Sequence, residues 1–201
     1  MTRICAVVFA AGFSARLGQN KLLIRINEKT VLERSIEPFI DPSIDKVFVV
    51  VGFERERIEA VLKGQKVDII YNPNYREGMS ASLKASLPFV SHYDAIFFQL
   101  GDRPFTDKAI IKRMLCAFYN QSAHIVVPIY KGKKGHPVLI RLGNYIREIE
   151  DIEGDKGLRE IIDKYHRNVV FIEGNEGIIL GVDTQEDLNN LAVRGYEIKK
   201  D

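Results

Sequence analysis

Residues 4–21 read ICAVVFAAGFSARLGQNK, a short apolar run that passes into small residues and then into cations. A wholly apolar run of this length predicts a strand that is buried on both faces, as in a parallel sheet. Small residues directly after such a strand let backbone N–H groups approach an anion, and Arg16 and Lys21 add positive charge. We therefore predict a phosphate-binding loop over residues 10–21. A strand-to-helix turn with two surface cations is the alternative interpretation.

This loop does not follow the two best-known nucleotide-binding patterns. Gly18 is followed by Gln19 and Lys21 by Leu22, so the Gly-Lys-Ser/Thr ending of a P-loop is missing. The Gly-x-Gly-x-x-Gly pattern of dinucleotide-binding proteins is missing as well. Any phosphate site here therefore belongs to another class of nucleotide-binding protein.

Apolar runs alternate with amphipathic stretches along the chain. They predict strands at residues 4–10, 46–51, 67–71, 95–100 and 124–128, and helices at 30–39, 54–62, 80–87 and 107–119, the last capped by Thr106. Crossovers of this length are right-handed and cover both faces of a sheet. We therefore predict the α/β class, with a doubly wound, mostly parallel sheet and a Rossmann-like nucleotide-binding topology.

The alternation of apolar runs with amphipathic stretches changes after residue 128. Residues 129–141 hold Gly132, Gly135 and Pro137 between two apolar pieces, which predicts a β-hairpin insert that forms a lid or side wall. Beyond it we expect helices at about 142–150 and 156–165, strands near 169–172 and 178–181, and a last helix from Thr184.

Composition limits the classes of protein that remain. A chain of 201 residues fits one domain, here residues 1–201, and its net charge of +2 lacks the basicity of a nucleic-acid binder. Two cysteines indicate neither a disulfide framework nor a zinc site. The N-terminal apolar run is too short for a membrane span and lacks a cleavage site, so we expect a cytoplasmic protein with no membrane partner. The short basic clusters at residues 131–134 and 199–200 are expected to be solvated.

A carboxylate follows the predicted strand at residues 95–100. Gly101 and Asp102 stand where the carboxyl end of a central strand would hold a hard cation, and Mg²⁺ takes one or two carboxylates plus phosphate oxygens and water. We therefore expect Asp102 to be a magnesium ligand, with a turn residue as the alternative. Asp183, after the predicted strand at 178–181, is a second candidate ligand, with helix capping near Thr184 as its alternative. Ligands bind outside the carboxyl ends of strands in open α/β sheets, so loop 10–21 and Asp102 should converge.

Taken together, the motifs resemble those of the molybdenum cofactor nucleotidyltransferase family, and most closely its molybdopterin cytidylyltransferase branch. The resemblance spans nearly the whole chain and is carried by residues 10–21, 72–75, 78–83, 101–104, 135–137, 154–159 and 183–188. It implies the fold of nucleotide-diphospho-sugar transferases. It also implies transfer of CMP from CTP to the phosphate of molybdopterin, with release of pyrophosphate, Mg²⁺ as cofactor and a molybdoenzyme as a further partner.

The resemblance also implies roles for individual residues. The catalytic group is Arg16, Lys21 and Asp102, and the nucleotide contacts are Ala10, Ala11, Gly12, Arg16, Lys21, Asn72, Asn74, Ser80, Ser82 and Gly101. The acceptor contacts are His136, Lys156 and Arg159. For Asn72 to Ser82 a turn and a helix N-terminus is the alternative, for His136 a structural role in the hairpin, and for Lys156 and Arg159 two exposed helix cations.

Three other functions remain open at this point. A GTP-dependent guanylyltransferase shares the first motif, but it usually has Gly-Gly where this chain has Ala11-Gly12 and generally lacks Gly135-His136-Pro137. A nucleotidyltransferase acting on a sugar phosphate or an isoprenoid phosphate shares the loop alone. A carrier or accessory protein for the molybdenum cofactor would bind the acceptor without chemistry.

Overall fold

The computed structural model of the chain describes residues 2–14, 17–120, 123–154 and 157–200. Its strands are β1 (Ile4–Ala10), β2 (Arg25–Ile26), β3 (Lys29–Thr30), β4 (Lys46–Val51), β5 (Asp68–Tyr71), β6 (Ala95–Leu100), β7 (Ile125–Tyr130), β8 (Lys133–Lys134), β9 (Val138–Ile140), β10 (Val169–Glu173) and β11 (Ile198–Lys199). Its α-helices are α1 (Val31–Ile36), α2 (Arg55–Leu62), α3 (Met79–Val90), α4 (Lys108–Asn120), α5 (Ile146–Asp151), α6 (Arg159–Lys164) and α7 (Gln185–Val193). Short 3₁₀ turns occupy Lys21–Leu23, Glu37–Phe39, Tyr75–Glu77, Leu142–Asn144, His166–Asn168 and Glu176–Ile178.

The main sheet has the strand order β10-β7-β9-β6-β1-β4-β5, with β8 paired to β7. Neighbours β6, β1, β4 and β5 are parallel, as are β10 and β7, whereas β9 is antiparallel to both β6 and β7. The five strands predicted from apolar runs are all present, as β1, β4, β5, β6 and β7. The predicted α/β class with a mostly parallel sheet is therefore confirmed.

Helices cover both faces of this sheet because the central strands are apolar on both sides. In β1, Ala6 and Val8 pack into one core with Leu32 of α1, whereas Val7 packs into the opposite core with Leu83 of α3. Each side chain is at most 1% exposed, which is the burial expected of strands in a doubly wound sheet. None of the helices in the described residues combines the length and the apolar character needed to cross a membrane.

The predicted insert at residues 129–141 is only partly a hairpin. Tyr130 and Lys133 pair across the turn from β7 to β8, as expected. Strand β9, however, returns into the main sheet between β6 and β7, and Val138, Leu139 and Ile140 are all buried there. The expectation of a lid is wrong for β9, because three consecutive apolar residues are stabilised by burial on both sides of a sheet.

The strand predicted at residues 178–181 is also wrong. Ile178 ends a 3₁₀ turn and the chain then runs on to Asp183 without a ladder partner. Ile178 is apolar because it packs against Gly135 and Gly174, where an added Cβ would lie within 3.0 Å of its side chain. Local apolar character here marks a buried turn.

Two smaller features differ from the sequence-based expectation. Strands β2, β3 and β11 form a separate antiparallel sheet of two-residue strands that no periodic pattern predicts. Helix α4 is capped by the carboxylate of Asp107, which accepts a hydrogen bond from the Ile110 N–H at 2.8 Å. The Thr106 hydroxyl instead accepts from the Gln99 amide at 3.0 Å.

Candidate active site

The loop after β1 and the turn after β6 lie side by side. Phe9 of β1 pairs with Leu100 of β6, so both strands end at the same edge of the sheet. The ammonium Nζ of Lys21 lies 2.5 Å from Oδ2 of Asp102. The structure therefore brings together the two places that the sequence predicted to converge.

Lys21 bridges two carboxylates. Its Nζ also lies 2.5 Å from Oδ1 of Asp183, so the two acidic oxygens are held on either side of one nitrogen. Burial alone would lower the pKa of the Lys21 ammonium, but the carboxylates of Asp102 and Asp183 outweigh it, and the pKa is raised. Lys21 therefore carries a full positive charge at neutral pH.

The backbone of Lys21 is fixed by the residues just before it. Its N–H donates to the Ser14 hydroxyl at 2.8 Å. The Asn20 side chain caps the following 3₁₀ turn by accepting from the Leu22 N–H at 3.1 Å, and Leu22 itself is buried. Arg16, the other cation predicted to contact phosphates, lies outside the described residues.

Gly101 sets the position of Asp102. The Gly101 N–H donates to the Phe9 carbonyl at 2.9 Å, and a Cβ at this position would lie 2.7 Å from that same oxygen. Only glycine therefore lets the chain leave β6 this close to β1. Oδ1 of Asp102 is buried, and no described residue makes a hydrogen bond to it.

The Asp183 carboxylate does not take part in the capping box of the following helix, which was its alternative role. A capping box between Thr184 and Asp187 begins α7, and the Asp187 carboxylate also accepts from the Asp183 N–H at 2.9 Å. These bonds occupy Thr184 and Asp187, while the Asp183 carboxylate accepts from Lys21.

A cleft of about 350 Å³ opens above the Lys21 bridge. The predicted residues that line it are Ala11, Gly12, Lys21, Ser82, Gly101 and Asp102. Ala10, Asn72, Asn74 and Ser80 do not line this cleft in the structure. Aromatic and basic residues that sequence reasoning missed also line it, namely Phe13, Tyr75 and Arg76. Phe13 lies 5.2 Å from Tyr75 between ring centroids, a pairing of two loops that spacing along the chain does not reveal.

The segment from Asn72 to Ser82 owes its shape to Asn72. This buried side chain donates to the Ser82 hydroxyl at 3.1 Å and accepts from the Asn74 N–H at 2.9 Å. The Ser80 N–H donates to the Gly154 carbonyl at 3.0 Å. Both ends of the Asn72 amide are therefore engaged within the protein, which favours its alternative role as a turn residue.

A second cleft of about 530 Å³ adjoins the first, since Phe9, Met79 and Leu100 line both. His136 and Arg159, two of the predicted acceptor contacts, line it, whereas Lys156 lies outside the described residues. Lys133 and Lys134 line it too, and both are exposed, as expected for their basic cluster. Their place directly before Gly135-His136-Pro137 is the signal that could have assigned them.

His136 is electrically neutral at physiological pH. Burial lowers the pKa of its imidazole to about 4, and the positive charge of Arg103 acts in the same direction, against an opposing effect of Asp102. Its Nδ1 is buried and makes no hydrogen bond to any described residue. A neutral imidazole suits both predicted roles of His136, a contact to a bound molecule and a structural role in the hairpin, better than a protonated imidazole would.

A divalent metal fits this site only in part through protein ligands. The described residues contain no group of three or more His, Cys, Asp or Glu side chains that could hold a metal ion. Asp102 and Asp183 nevertheless meet at one point, the Lys21 ammonium, and Oδ1 of Asp102 is a buried acceptor that receives no hydrogen bond from the described residues, with Nε of Arg103 at 3.6 Å. Two carboxylates completed by phosphate oxygens and water are the ligand set that Mg²⁺ usually has in nucleotide sites.

Comparison with known proteins places the chain in a nucleotidyltransferase family. Residues 6–169 match the MobA-like NTP transferase domain, and the chain belongs to that family. The fold is that of nucleotide-diphospho-sugar transferases, as predicted.

Individual relatives extend the likeness over the whole chain. The chain is 29% identical to the molybdenum cofactor cytidylyltransferase of Escherichia coli (strain K12), over 98% of this chain and 100% of that protein. A homolog of Mycobacterium tuberculosis rv0371c from Mycobacterium sp. strain JC1 superposes with a TM-score of 0.81 at 26% identity, covering 95% of this chain and 96% of the other. A nucleotidyl transferase from Methanothermobacter thermautotroptrophicus has a TM-score of 0.82 at 20% identity, covering 96% and 98% of the two chains, which shows a shared fold.

Proposed function

We propose that this protein is a cytoplasmic, Mg²⁺-dependent cytidylyltransferase that transfers CMP from CTP to the phosphate of molybdopterin. The observation that carries the proposal is the Lys21 ammonium held between Asp102 and Asp183 at 2.5 Å from each, on the floor of the cleft lined by Ala11 and Gly12. A cation and two carboxylates at one point suit a triphosphate that arrives with its own divalent metal.

The reaction is an in-line displacement at the α-phosphorus of CTP. A phosphate oxygen of the acceptor forms a bond to that phosphorus, and the bond from the phosphorus to the oxygen that bridges it to the β-phosphate breaks, releasing pyrophosphate. The attacking oxygen is already anionic, so no side chain has to remove a proton. A neutral His136 beside the acceptor cleft is consistent with this chemistry.

The chain's own residues contribute position and charge. The Lys21 ammonium is placed to donate to phosphate oxygens and to offset the charge that grows on pyrophosphate as it leaves. Asp102 and Asp183 would hold the metal, which when bound supplies further positive charge to the phosphates. Gly12 is exposed, and apart from its two chain neighbours no described residue has an atom within 4 Å of where its Cβ would stand, so a phosphate can approach this backbone closely.

The second cleft suits a flat acceptor that carries a phosphate. Phe98, Leu158 and Ile162 form an apolar wall, and Lys134 and Arg159 add positive charge at its rim. Lys134 lies 2.7 Å from the Asp163 carboxylate, but both side chains are about half exposed, so the pair is weak and can be exchanged for a ligand phosphate. A molybdoenzyme that receives the product is the expected further partner.

CTP is favoured over GTP by Ala11. This residue is buried against the cleft, where the guanylyltransferase branch usually has glycine, so its methyl group narrows the space beside the bound nucleotide. The likeness to a molybdenum cofactor cytidylyltransferase over the full chain supports the same nucleotide and the same acceptor.

The test is a measurement of pyrophosphate release with each of the four NTPs, with and without molybdopterin, in the presence of Mg²⁺. We expect release only with CTP and molybdopterin together. Release with GTP would assign the guanylyltransferase reaction, and release with a sugar phosphate or an isoprenoid phosphate in place of molybdopterin would assign that class of acceptor. If no nucleotide gives pyrophosphate release but the protein binds molybdopterin, the proposal of an enzyme is wrong and a carrier protein is supported.

A further inference from the structure

Asp183 reaches the site on a segment without regular secondary structure. Residues 179–183 follow the 3₁₀ turn Glu176–Ile178 and precede α7, and no described strand pairs with them. A carboxylate on such a segment needs specific bonds to keep a fixed distance from Asp102. Those bonds decide whether the two carboxylates can act as one pair.

The bond from Lys21 to the Asp183 carboxylate and three further hydrogen bonds tie residues 178–183 to the rest of the site. The His136 N–H donates to the Ile178 carbonyl at 2.9 Å, and the Val182 N–H donates to the Asp102 carbonyl at 3.1 Å. The third comes from a side chain, since Nη1 of Arg103 donates to the Ile179 carbonyl at 2.8 Å. Arg103 is therefore a side chain, besides Lys21, through which a substitution can loosen the segment without altering its backbone.

Arg103 also faces the other carboxylate. Its Nε lies 3.6 Å from Oδ1 of Asp102, the oxygen that has no hydrogen-bond partner among the described residues. The side chain is 23% exposed, and its backbone is held by the Gln99 amide, which donates to the Arg103 carbonyl at 3.2 Å. One rigid guanidinium thus reaches both acidic residues' surroundings. It donates to the Ile179 carbonyl, on the segment that carries Asp183, and it lies beside the carboxylate of Asp102.

Gly181 leaves the space that the guanidinium occupies. A Cβ on Gly181 would lie 2.7 Å from Nη1 and 2.9 Å from Cζ of Arg103. Any larger residue would push the guanidinium off the Ile179 carbonyl. The fit of a glycine against an arginine indicates that this contact is a built part of the site.

We propose that Arg103 is a positioning residue that holds Asp183 opposite Asp102, so that the two carboxylates bind one divalent cation. The inference rests on the proposed function, since it assigns that function's metal to this pair. Arg103 touches neither the metal nor the nucleotide in this role. It acts through its hydrogen bond to the Ile179 carbonyl, since its positive charge beside Asp102 would by itself disfavour a bound cation.

The test is direct titration of the full-length protein with Mn²⁺, following the free ion by electron paramagnetic resonance, with no nucleotide present. Loss of a residue that supports metal ligands typically weakens metal affinity by about 10-fold to 100-fold. We expect a loss of that size in Arg103→Gln and in Gly181→Ala, a smaller loss in Arg103→Lys, which keeps one donor, and a loss at least as large in Asp183→Asn. Arg113→Gln, an exposed arginine on α4, is the matched control and should bind Mn²⁺ as the original protein does.

The melting temperature of each variant separates positioning from simple stabilisation. Weaker Mn²⁺ binding in Gly181→Ala or Arg103→Gln at an unchanged melting temperature supports the inference. Weaker binding only in variants that also melt earlier overturns it, and so does unchanged binding in both variants.

Equal Mn²⁺ binding by the original protein and Asp183→Asn, or no binding by either, removes Asp183 from the metal site and overturns the inference too. Pyrophosphate release from CTP would still report separately on the proposed function.

Discussion

The buried hydroxyl of Ser35 on α1 lies 2.8 Å from the carbonyl oxygen of Gly101, the residue immediately before Asp102. Ser35 is fully buried, and its hydroxyl also lies 2.9 Å from the Val31 carbonyl of its own helix. This contact joins a helix on one face of the sheet to the turn that presents the site's carboxylate. The position of Asp102 therefore depends on a residue that no nucleotide could touch.

Replacing Ser35 with alanine should remove this tie. The Gly101 carbonyl would lose a buried donor, so we expect the free energy of unfolding to fall by about 1 to 3 kcal/mol in urea denaturation. Ser86→Ala is the control, because the Ser86 hydroxyl donates to Leu83 inside α3, where that carbonyl has a helical partner as well. Equal losses in the two variants would contradict the role assigned to the Gly101 contact.

Substitution of the central pair should remove activity and leave the fold. Lys21→Ala and Asp102→Ala are each expected to lower turnover about 100-fold or more, since each removes a group that acts on the charge of the reacting phosphates. Rates of pyrophosphate release and circular dichroism spectra would be compared with those of Lys84→Ala, an exposed lysine on α3. Turnover at the original rate in either site variant would reject the site assignment.

His136 should make the folded protein sensitive to acid. Its pKa of about 4 in the folded protein lies below the ordinary histidine pKa of about 6.5, so between these two pH values the unfolded chain binds a proton that the folded protein does not. The contribution of neutral His136 to the free energy of unfolding is therefore complete above about pH 6.5. It falls by about 1 to 3 kcal/mol as the pH drops towards 4. The free energy of unfolding, measured by urea denaturation across this pH range, should decline less in His136→Gln than in the original protein.

The exposed His92 serves as the control for that experiment. His92→Gln should decline with pH as steeply as the original protein. If the free energy of unfolding of His136→Gln depends on pH as it does in the original protein, another group must bind the extra proton of the unfolded chain.

The rim of the second cleft should govern the acceptor alone. Lys134→Gln combined with Arg159→Gln should raise the KM for molybdopterin by about 10-fold, because two charge-assisted contacts to a phosphate are lost. The KM for CTP should stay the same, since neither side chain lines the first cleft. Lys131→Gln, on the same β-turn but outside the cleft lining, is the matched control. An equal rise in both KM values would place the acceptor elsewhere.

Sequence periodicity predicted what depends on local pattern. The long apolar runs of β1, β4 and β6 are buried on both faces, so their composition alone identifies them. The same reasoning failed at residues 178–181, where apolar side chains fill a turn, and it could not find the two-residue strands β2, β3 and β11. Such short pairings are set by tertiary packing and leave no periodic trace.

The site was predictable where one strand end meets another. Lys21 and Asp102 could be brought together because parallel neighbours end at one edge of a sheet. The contacts of Arg103 and of the Phe13–Tyr75 pair could not be predicted, since they join segments that are distant in sequence and no motif specifies those pairings. The roles of Arg16 and Lys156 stay predictions, because both residues lie outside the described parts of the structure.

The antiparallel strand β9 has a consequence for how the chain folds. In the described structure it is the strand that joins β7 to β6, so the β7, β8 and β10 portion has no ladder to the rest of the sheet until residues 138–140 are in place. A nascent or truncated chain that ends before residue 138 would expose the unpaired edge of β6, which invites pairing with other chains. Completion of the sheet therefore waits for a segment in the last third of the protein, and shortened fragments of this enzyme should be prone to aggregate.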